Sequence, residues 1–178
     1  MRLFILLASI LLGLPATAQT QLTMNDLMAT PIRIRGVDCA LFPAAALLDT
    51  SELHTARVEP RRFKLTPQQI EIVEKQFAEK GLAAIARSTF PEDSILILIR
   101  SNAALSHINN HLAVYRRQYY GFYNTLHQPC LYINFLEEPV SGWLYNHIMV
   151  MDGGAAFWRI SYNIVTHQFY GFSLNGEA

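Results

Sequence analysis

The period of the apolar pattern changes along this chain, from helical near the middle to strand-like in the C-terminal half. The clearest helical segment is LTPQQIEIVEKQFAEKG, residues 65–81, whose apolar positions recur at i, i+3 and i+7. These positions are Ile70, Val73 and Phe77. Thr66 and Gln69 have the spacing of a capping box, which begins a helix, and Gly81 is placed to end it. The pattern predicts an amphipathic helix that packs on an apolar surface.

Two segments after this helix have ambiguous patterns. SILILIR, residues 94–100, is short and rich in β-branched residues, and its periodicity does not distinguish a strand from a buried helical turn. Leu105, Ile108 and Leu112 then recur at i, i+3 and i+7. This spacing favours a second helix over about residues 102–114.

From Tyr115 onward the period becomes two, which is typical of strands. Short loops separate five strand-like segments, and this favours antiparallel pairing. The segments are residues 115–124, 130–136, 144–151, 156–163 and 168–176. A helix followed by strands predicts an α+β fold, in which the amphipathic helix packs on a curved antiparallel sheet of four or five strands. We place this single domain at residues 60–178.

The segment before the domain, residues 19–59, has weak periodicity. Ile32 and Ile34 alternate with Arg33 and Arg35, which indicates a short strand or an extended arm. We expect this N-terminal arm to be extended or irregular and to wrap over the core.

Residues 1–18 have the pattern of a signal peptide. A short positive start precedes the apolar run LFILLASILLGL, which is too short to span a bilayer, and Ala16-x-Ala18 matches a signal-peptidase site. The sequence thus predicts an exported protein, periplasmic or extracellular; the alternatives are an uncleaved anchor or a buried N-terminal helix. Later segments lack the apolar length of a membrane span, so we expect no membrane insertion after cleavage.

Composition and charge are those of a globular domain. The chain is 51% hydrophobic and 16% charged, and its 14 Lys and Arg less Arg2 leave 13 against 14 Asp and Glu, a net charge near −1 after cleavage. A protein without excess positive charge has no electrostatic basis for binding nucleic acid, so we exclude that class of partner.

The chain contains two cysteines, Cys39 and Cys130. Exported proteins mature in an oxidising compartment, where paired thiols form disulfides, so we predict a bridge between them. The alternative, a redox or metal pair, lacks a C-x-x-C spacing.

The stretch VMDGGAAFWRISYN contains Asp152, Gly153 and Gly154 between two strand-like runs. Asp-Gly is a strong hairpin signal because both residues tolerate positive φ, so we predict that these three residues form a turn. A catalytic Asp152, or a ligand or metal contact at this loop, is the alternative. A phosphate-binding loop would need a following helix, and a strand-like run follows instead.

The motifs of common enzyme classes are missing from the sequence. His107 and His111 have i, i+4 spacing, but the residues between them include no Glu that could serve as the base of a zinc hydrolase. No G-x-S-x-G occurs, and the adjacent Glu137 and Glu138 would point to opposite sides of a strand. We therefore nominate no catalytic residue, metal or cofactor.

Aromatic residues occur on both faces of the predicted strands. If one face is core, the other exposes aromatic, Arg and Gln side chains, which suits the binding of a sugar, a peptide or a protein. The candidate surface residues are Tyr115, Arg116, Gln118, Tyr120, Trp158 and Arg159. The alternative is that the N-terminal arm and the second helix cover this face.

The C-terminal part of the chain, about residues 110–178, resembles a family of small, exported and largely uncharacterised bacterial proteins. The motifs that carry the resemblance are YRRQYYGFYN, CLYINF, MDGGAAFWRISYN and FYGFSLNGEA. Arg116 replaces the Lys of the family pattern Tyr-Lys-Arg-Gln-Tyr-x-Gly. The resemblance implies export but neither an activity nor catalytic residues. The order of helix and strands is also similar to cystatin-like folds, which is an analogy of shape.

The sequence thus predicts an exported, non-enzymatic binding or inhibitory module for a protein, peptide or glycan ligand. Two alternatives stay open. One is a small hydrolase-like enzyme with a pocket between sheet and helix, using Asp152 or a histidine such as His147. The other is a structural protein of the cell envelope.

Overall fold

The computed structural model of the protein describes residues 23–48, 61–82, 84–85, 95–137 and 140–175, with the side chains of 95–102 excluded. The predicted signal peptide lies outside these residues. Among the helices of the described ranges, none combines the length and the apolar character needed to cross a membrane.

The fold is α+β, with helices on a mostly antiparallel sheet. The helices are α1 (Met24–Leu27), α2 (Pro67–Lys80) and α3 (Ile95–His111), and a 3-10 helix spans Gly154–Ala156. The strands are β1 (Thr30–Ile34), β2 (Val37–Leu41), β3 (Arg62–Phe63), β4 (Arg116–Tyr123), β5 (Pro129–Leu136), β6 (Phe157–Asn163) and β7 (Gln168–Leu174). They form a seven-stranded sheet in the order β1-β2-β4-β5-β6-β7, with β3 also paired to β4. The α+β class is confirmed, but the sheet is larger than the four or five strands predicted.

The additional strands come mainly from the segment expected to be an irregular arm. β1 and β2 form an antiparallel hairpin at Arg35 and Gly36, both of which have positive φ. β2 then runs parallel to the first half of β4, and β3 pairs with the second half of the same edge. Parallel pairing joins strands that are far apart in sequence, so local periodicity gave no sign of it.

The face of the sheet that carries Tyr119, Ile133 and Ile160 lies beneath α2 and α3, and we call it the helical face. The predicted capping box is confirmed: the backbone N–H of Thr66 donates to Oε1 of Gln69 at 2.9 Å, and that of Gln69 donates to Oγ1 of Thr66 at 3.4 Å. The apolar stripe of α2 is buried on the sheet. Gly81 follows the helix with φ 71°, although its ψ of 141° is outside the left-handed helical region.

Helix α3 includes both of the ambiguous segments. It begins at Ile95, so SILILIR is helical from its second residue rather than a strand. Leu105 and Ile108 are buried in the helical-face core and Leu112 packs against it, which confirms the second apolar stripe. The C-terminal end of α3 contacts the 3-10 helix at the end of the sheet.

The opposite face, which carries Gln118, Tyr120 and Tyr132, is covered by non-helical segments, and we call it the loop face. One cover is the stretch after β2, where the ring of Phe42 stacks on Tyr120 with centroids 4.3 Å apart. The other is the long connection between β5 and β6, which contains Trp143 and Leu144.

The predicted strand at residues 144–151 is wrong, and with it the predicted hairpin at Asp152, Gly153 and Gly154. Residues 147–150 have no regular secondary structure, and Gly154 begins a 3-10 helix instead of a two-residue turn. Both edges of β6 are already occupied, by β5 and by β7. No edge of β6 is left for a further strand, so the apolar run crosses the loop face as a loop.

Gly121 is needed because two strands approach closely at β4. It faces Phe63 across the β3–β4 pair, and a Cβ atom built at Gly121 would lie 2.6 Å from the backbone carbonyl oxygen of Phe63. Because a backbone oxygen cannot move independently, we expect Gly121→Ala to lower the free energy of unfolding by about 2 kcal/mol, as overpacking does. Urea unfolding followed by circular dichroism measures this loss.

Thr125→Ala serves as the control for Gly121→Ala. Thr125 is exposed in the turn just after β4, so its truncation should change the free energy of unfolding by less than about 0.5 kcal/mol. Equal stabilities of the two variants would contradict the close approach of β3 and β4 at Gly121.

Candidate functional sites

The six residues predicted to form one binding surface lie on two faces of the sheet. Tyr115 and Trp158 are buried in the helical-face core, whereas Gln118 and Tyr120 are buried on the loop face. The guanidinium of Arg116 lies 5.3 Å from the ring centroid of Trp143 on the connecting loop. Arg159 is half-buried and donates to Oδ1 of Asn175 at 2.9 Å. These residues therefore do not form an exposed aromatic surface, and the cover over the loop face comes from the N-terminal segment and the connecting loop rather than from α3.

The predicted disulfide is also wrong in this structure, where Cys39 and Cys130 are free and buried. Cys39 pairs with Arg117 of β4, and Cys130 pairs with Phe122 of the same strand. Those two positions are five residues apart, or about 17 Å along the strand, and an odd separation places them on opposite faces. A disulfide requires Cα atoms within about 7 Å. Burial raises the pKa of Cys39 to about 12, which disfavours a nucleophilic thiolate.

Two side-chain amides hold the connecting loop against the sheet. Nε2 of Gln118 donates to the carbonyl oxygens of Trp143 and Asn146, both at 2.7 Å, and its Oε1 accepts from the N–H of Ile148 at 3.1 Å. Nδ2 of Asn134 donates to the carbonyl oxygen of Ile148 at 2.7 Å and to Oε1 of Gln118 at 3.0 Å. The loop backbone thus finds the partners that a neighbouring strand would otherwise supply.

This loop and the N-terminal segment enclose a groove of about 430 Å³. We call it the methionine groove; it is lined by Met24, Leu27, Met28, Leu47, Tyr145, Asn146, His147 and Met149. Its two walls are joined by a backbone hydrogen bond in which the N–H of Ala29 donates to the carbonyl oxygen of Leu144 at 2.8 Å. The groove is therefore built by a tertiary contact between residues that are more than 100 positions apart in sequence, Ala29 and Leu144.

The methionine groove is apolar and accessible. Leu47 is 83% exposed, Met24 71% and Met149 51%, and no Lys, Arg, Asp or Glu occurs among the lining residues that the structure describes. Exposed apolar side chains that lie together mark interaction sites, and methionine is common at binding surfaces because its unbranched thioether adapts to different partners.

A smaller cavity of about 160 Å³ lies beside the groove, between the connecting loop and the ends of β6 and β7. His147 contributes to both cavities, and its Nε2 lies 3.2 Å from the hydroxyl of Tyr132. Within the described part of the chain, the residues that line the two cavities include no Asp or Glu. Asp152, the other candidate of the enzyme hypothesis, is exposed.

A second cluster lies where the end of α3 meets the end of β5. Nε2 of His107 is 2.8 Å from Oε2 and 3.0 Å from Oε1 of Glu137, and Nδ1 of His111 is 3.9 Å from Oε1 of Glu137. One ligand atom from each residue lies within 4.8 Å of the others. Two imidazoles and a carboxylate are a donor set that first-row divalent metals accept. We call these three residues the His-His-Glu cluster.

The sequence shows only half of this cluster. The i, i+4 spacing places His107 and His111 on the same side of α3, and the sequence offers no acidic residue between them. Glu137 comes from the residue after β5, where its backbone N–H donates to the carbonyl oxygen of Ala156 at 2.9 Å. Only the packing of α3 against the end of the sheet brings it to the histidines, so no motif spacing could have identified it.

A buried ionic group lies between α2 and the helical face of the sheet. Nη1 of Arg117 is 2.9 Å from Oε2 of Glu74, and both side chains are almost fully buried. The hydroxyl of Tyr119 donates to Oε1 of Glu74, and Nη2 of Arg117 donates to the carbonyl oxygen of Leu112 at 3.0 Å. Burial raises the pKa of Glu74, and the charge of Arg117 opposes this. The group is enclosed by core residues and has a structural role.

Known proteins offer no guide to these sites. Neither a protein family, nor a curated protein, nor a solved structure matches this chain. The methionine groove and the His-His-Glu cluster are therefore the features from which a function can be inferred.

Proposed function

We propose that this protein is an exported, non-enzymatic binding module whose ligand is an apolar peptide segment, bound in the methionine groove. The observation that carries the proposal is the convergence of exposed apolar side chains from two distant segments on one groove. Three of the four methionines outside the predicted signal peptide line it.

The lining of the groove determines the class of ligand. Since the described lining residues include no Lys, Arg, Asp or Glu, an acidic or basic ligand would lose its hydration without gaining an ion pair from them. A glycan is less well matched, because sugars need several hydrogen-bonding groups around an aromatic platform, and Tyr145 and His147 are the two aromatic rings among the described lining residues. A volume of about 430 Å³ is within the range of ligand pockets and accommodates a few apolar side chains of a peptide.

Export is part of the proposal and is supported by the signal-peptide pattern of residues 1–18. An inhibitory role stays within the proposal, in which the bound segment would belong to another protein.

The enzyme hypothesis has one observation in its favour, the contact between His107 and Glu137. A histidine hydrogen-bonded to a carboxylate is the arrangement of a general base. The side chain of His107 is 42% exposed, however, and this pair does not line either of the two cavities described above. We therefore favour a binding role over a hydrolase.

Peptide-display selection on the mature chain tests the proposal directly. We expect enriched peptides to share two or more large apolar residues and to shift the methyl resonances of Met24, Met28 and Met149 in a ¹³C-methyl methionine spectrum. Met149→Glu should weaken binding of an enriched peptide at least tenfold, because the carboxylate would be desolvated by the apolar ligand. Met149 is about half exposed, so the variant should fold normally.

Val165→Glu is the matched control, since Val165 is 56% exposed in the turn between β6 and β7 and does not line the groove. It should bind the same peptide with unchanged affinity. Enrichment of charged peptides, or equal affinity of Met149→Glu and the wild type for the enriched peptide, would show that the groove is not the binding site.

A further inference from the structure

The His-His-Glu cluster is unrelated to the methionine groove and calls for its own explanation. The two histidine side chains are 42% and 46% exposed, and the carboxylate of Glu137 is 20% exposed. The imidazole rings lie side by side, with centroids 4.3 Å apart. Two rings and a carboxylate therefore meet at a site that solvent ions can reach.

We propose that His107, His111 and Glu137 bind a divalent transition-metal ion of the zinc class. Imidazole nitrogen and carboxylate oxygen are the usual ligands of such ions, and a set with two histidines and one carboxylate leaves a coordination position for water. A hard ion such as Mg²⁺ or Ca²⁺ prefers six or more oxygen ligands, and the cluster supplies two imidazoles instead.

The distances are close to those that a metal requires. Around a tetrahedral ion with bonds of about 2.0–2.1 Å, neighbouring ligand atoms are separated by about 3.3 Å. The contact of His107 with Glu137 is 2.8 Å, and all three ligand atoms lie within 4.8 Å of one another. The longest of these separations exceeds the tetrahedral spacing by about 1.5 Å at most, so the three side chains would draw together around the ion.

The surroundings of the ligands also fit a metal site. Nδ1 of His111, which is 3.9 Å from Oε1 of Glu137, also lies 2.9 Å from the carbonyl oxygen of His107. Its Nδ1–H therefore donates to that carbonyl, and Nε2 is the nitrogen that would bind the ion. Histidine ligands commonly donate their second nitrogen to a backbone carbonyl, which fixes the tautomer. The hydroxyl of Tyr115 is 3.5 Å from Oε2 of Glu137 and donates to the carbonyl oxygen of Ala155 at 2.7 Å. Glu137 thus has a neighbour that restricts its movement.

A bound ion would join two parts of the fold that are far apart in sequence. His107 and His111 belong to the last turns of α3, and Glu137 follows directly after β5. The ion would therefore fix the end of α3 to the sheet, and we expect it to raise the melting temperature by linkage. The proposal is independent of the peptide proposal, because the groove lies on the loop face and these residues do not line it.

Titration of the chelator-treated mature chain tests the proposal. We expect one equivalent of Zn²⁺ in isothermal titration calorimetry, a visible absorption spectrum of tetrahedral type with Co²⁺, and no binding of Mg²⁺ at the same concentrations. His107→Gln, His111→Gln and Glu137→Gln should each weaken Zn²⁺ binding at least tenfold. Circular dichroism of each variant without metal checks that the fold is intact.

His127→Asn is the control, because His127 is exposed in the turn before β5 and has a φ of 57°, which Asn tolerates. It should bind Zn²⁺ as the wild type does. A triple variant that retains wild-type affinity would overturn the proposal, as would a wild-type dissociation constant weaker than about 1 mM, and the contact of His107 with Glu137 would then be an ion pair only.

Discussion

Replacing Arg117 by methionine is expected to lower the free energy of unfolding by about 3–5 kcal/mol at neutral pH. The side chain of Arg117 is 2% exposed and its guanidinium is the cationic partner of Glu74, which is equally enclosed. The variant leaves a carboxylate in the core without its counter-ion, and this costs more than the loss of the contact itself. Urea unfolding of the variant and the wild type measures the difference.

The loss of stability in Arg117→Met should depend on pH, and the direction of this dependence follows from the pKa of Glu74. Burial raises the pKa of Glu74 above its unfolded value of 4.5, although Arg117 opposes the shift. Without Arg117 the folded-state pKa rises further, so the folded protein binds a proton that the unfolded chain releases. Stability then falls as pH rises from the unfolded pKa through the folded pKa. The destabilisation should therefore be smaller at about pH 5 than at about pH 8.

A double-mutant cycle isolates the interaction. Glu74→Gln in the Arg117→Met background removes the charge but keeps an acceptor for the hydroxyl of Tyr119. It should restore most of the lost stability and remove its pH dependence, because no unpaired charge remains. Strictly additive effects of the two substitutions would show that Glu74 and Arg117 do not interact.

The elements predictable from the sequence are those whose signals are local. The capping box at Thr66 and the stripe of α2 are both formed within one helix, and each was confirmed. The strands β5 and β7 were predicted to within two residues at each end, because alternating apolar runs and short turns also act locally.

The errors concern partners that are far apart in sequence. Residues 144–151 have the composition of a strand, but β6 is already paired on both edges and Gln118 supplies partners to the loop backbone. Similarly, the pairing of β2 with β4 determines that Cys39 and Cys130 lie on opposite faces. A count of two cysteines contains no information about strand order, so the disulfide was predicted only from the oxidising compartment of an exported protein.

The candidate sites were less predictable than the fold, for the same reason. The methionine groove needs α1 beside the connecting loop, and the His-His-Glu cluster needs α3 beside the residue after β5. Periodicity correctly indicated that aromatic residues occupy both faces of the strands. It did not indicate what covers each face, and this decides whether a residue such as Tyr120 binds a ligand or belongs to the core.

Trp158 gives the sharpest test of whether an aromatic residue of the strands binds a ligand or belongs to the core. The sequence predicted it on a binding surface, and the structure places it in the core. Its indole is 1% exposed and stacks on Phe135, with ring centroids 3.5 Å apart and an interplanar angle of 11°. The rings of Phe77 and Tyr115 approach it edge-on, at 6.5 and 6.0 Å. We expect Trp158→Ala to lower the free energy of unfolding by about 3–5 kcal/mol, because it leaves a large cavity beneath α2.

Trp143, the other tryptophan of the chain, provides the matched comparison. It is half-buried on the connecting loop, so Trp143→Ala should cost about 1 kcal/mol in the free energy of unfolding. A ligand-binding role for Trp158 would instead predict a small loss of stability and a large loss of peptide affinity. Trp158 and Arg159 point to opposite faces of β6. A large loss of stability for Trp158→Ala would therefore assign the face that carries Trp158 to the core. Binding would then be expected on the loop face, to which Arg159 points.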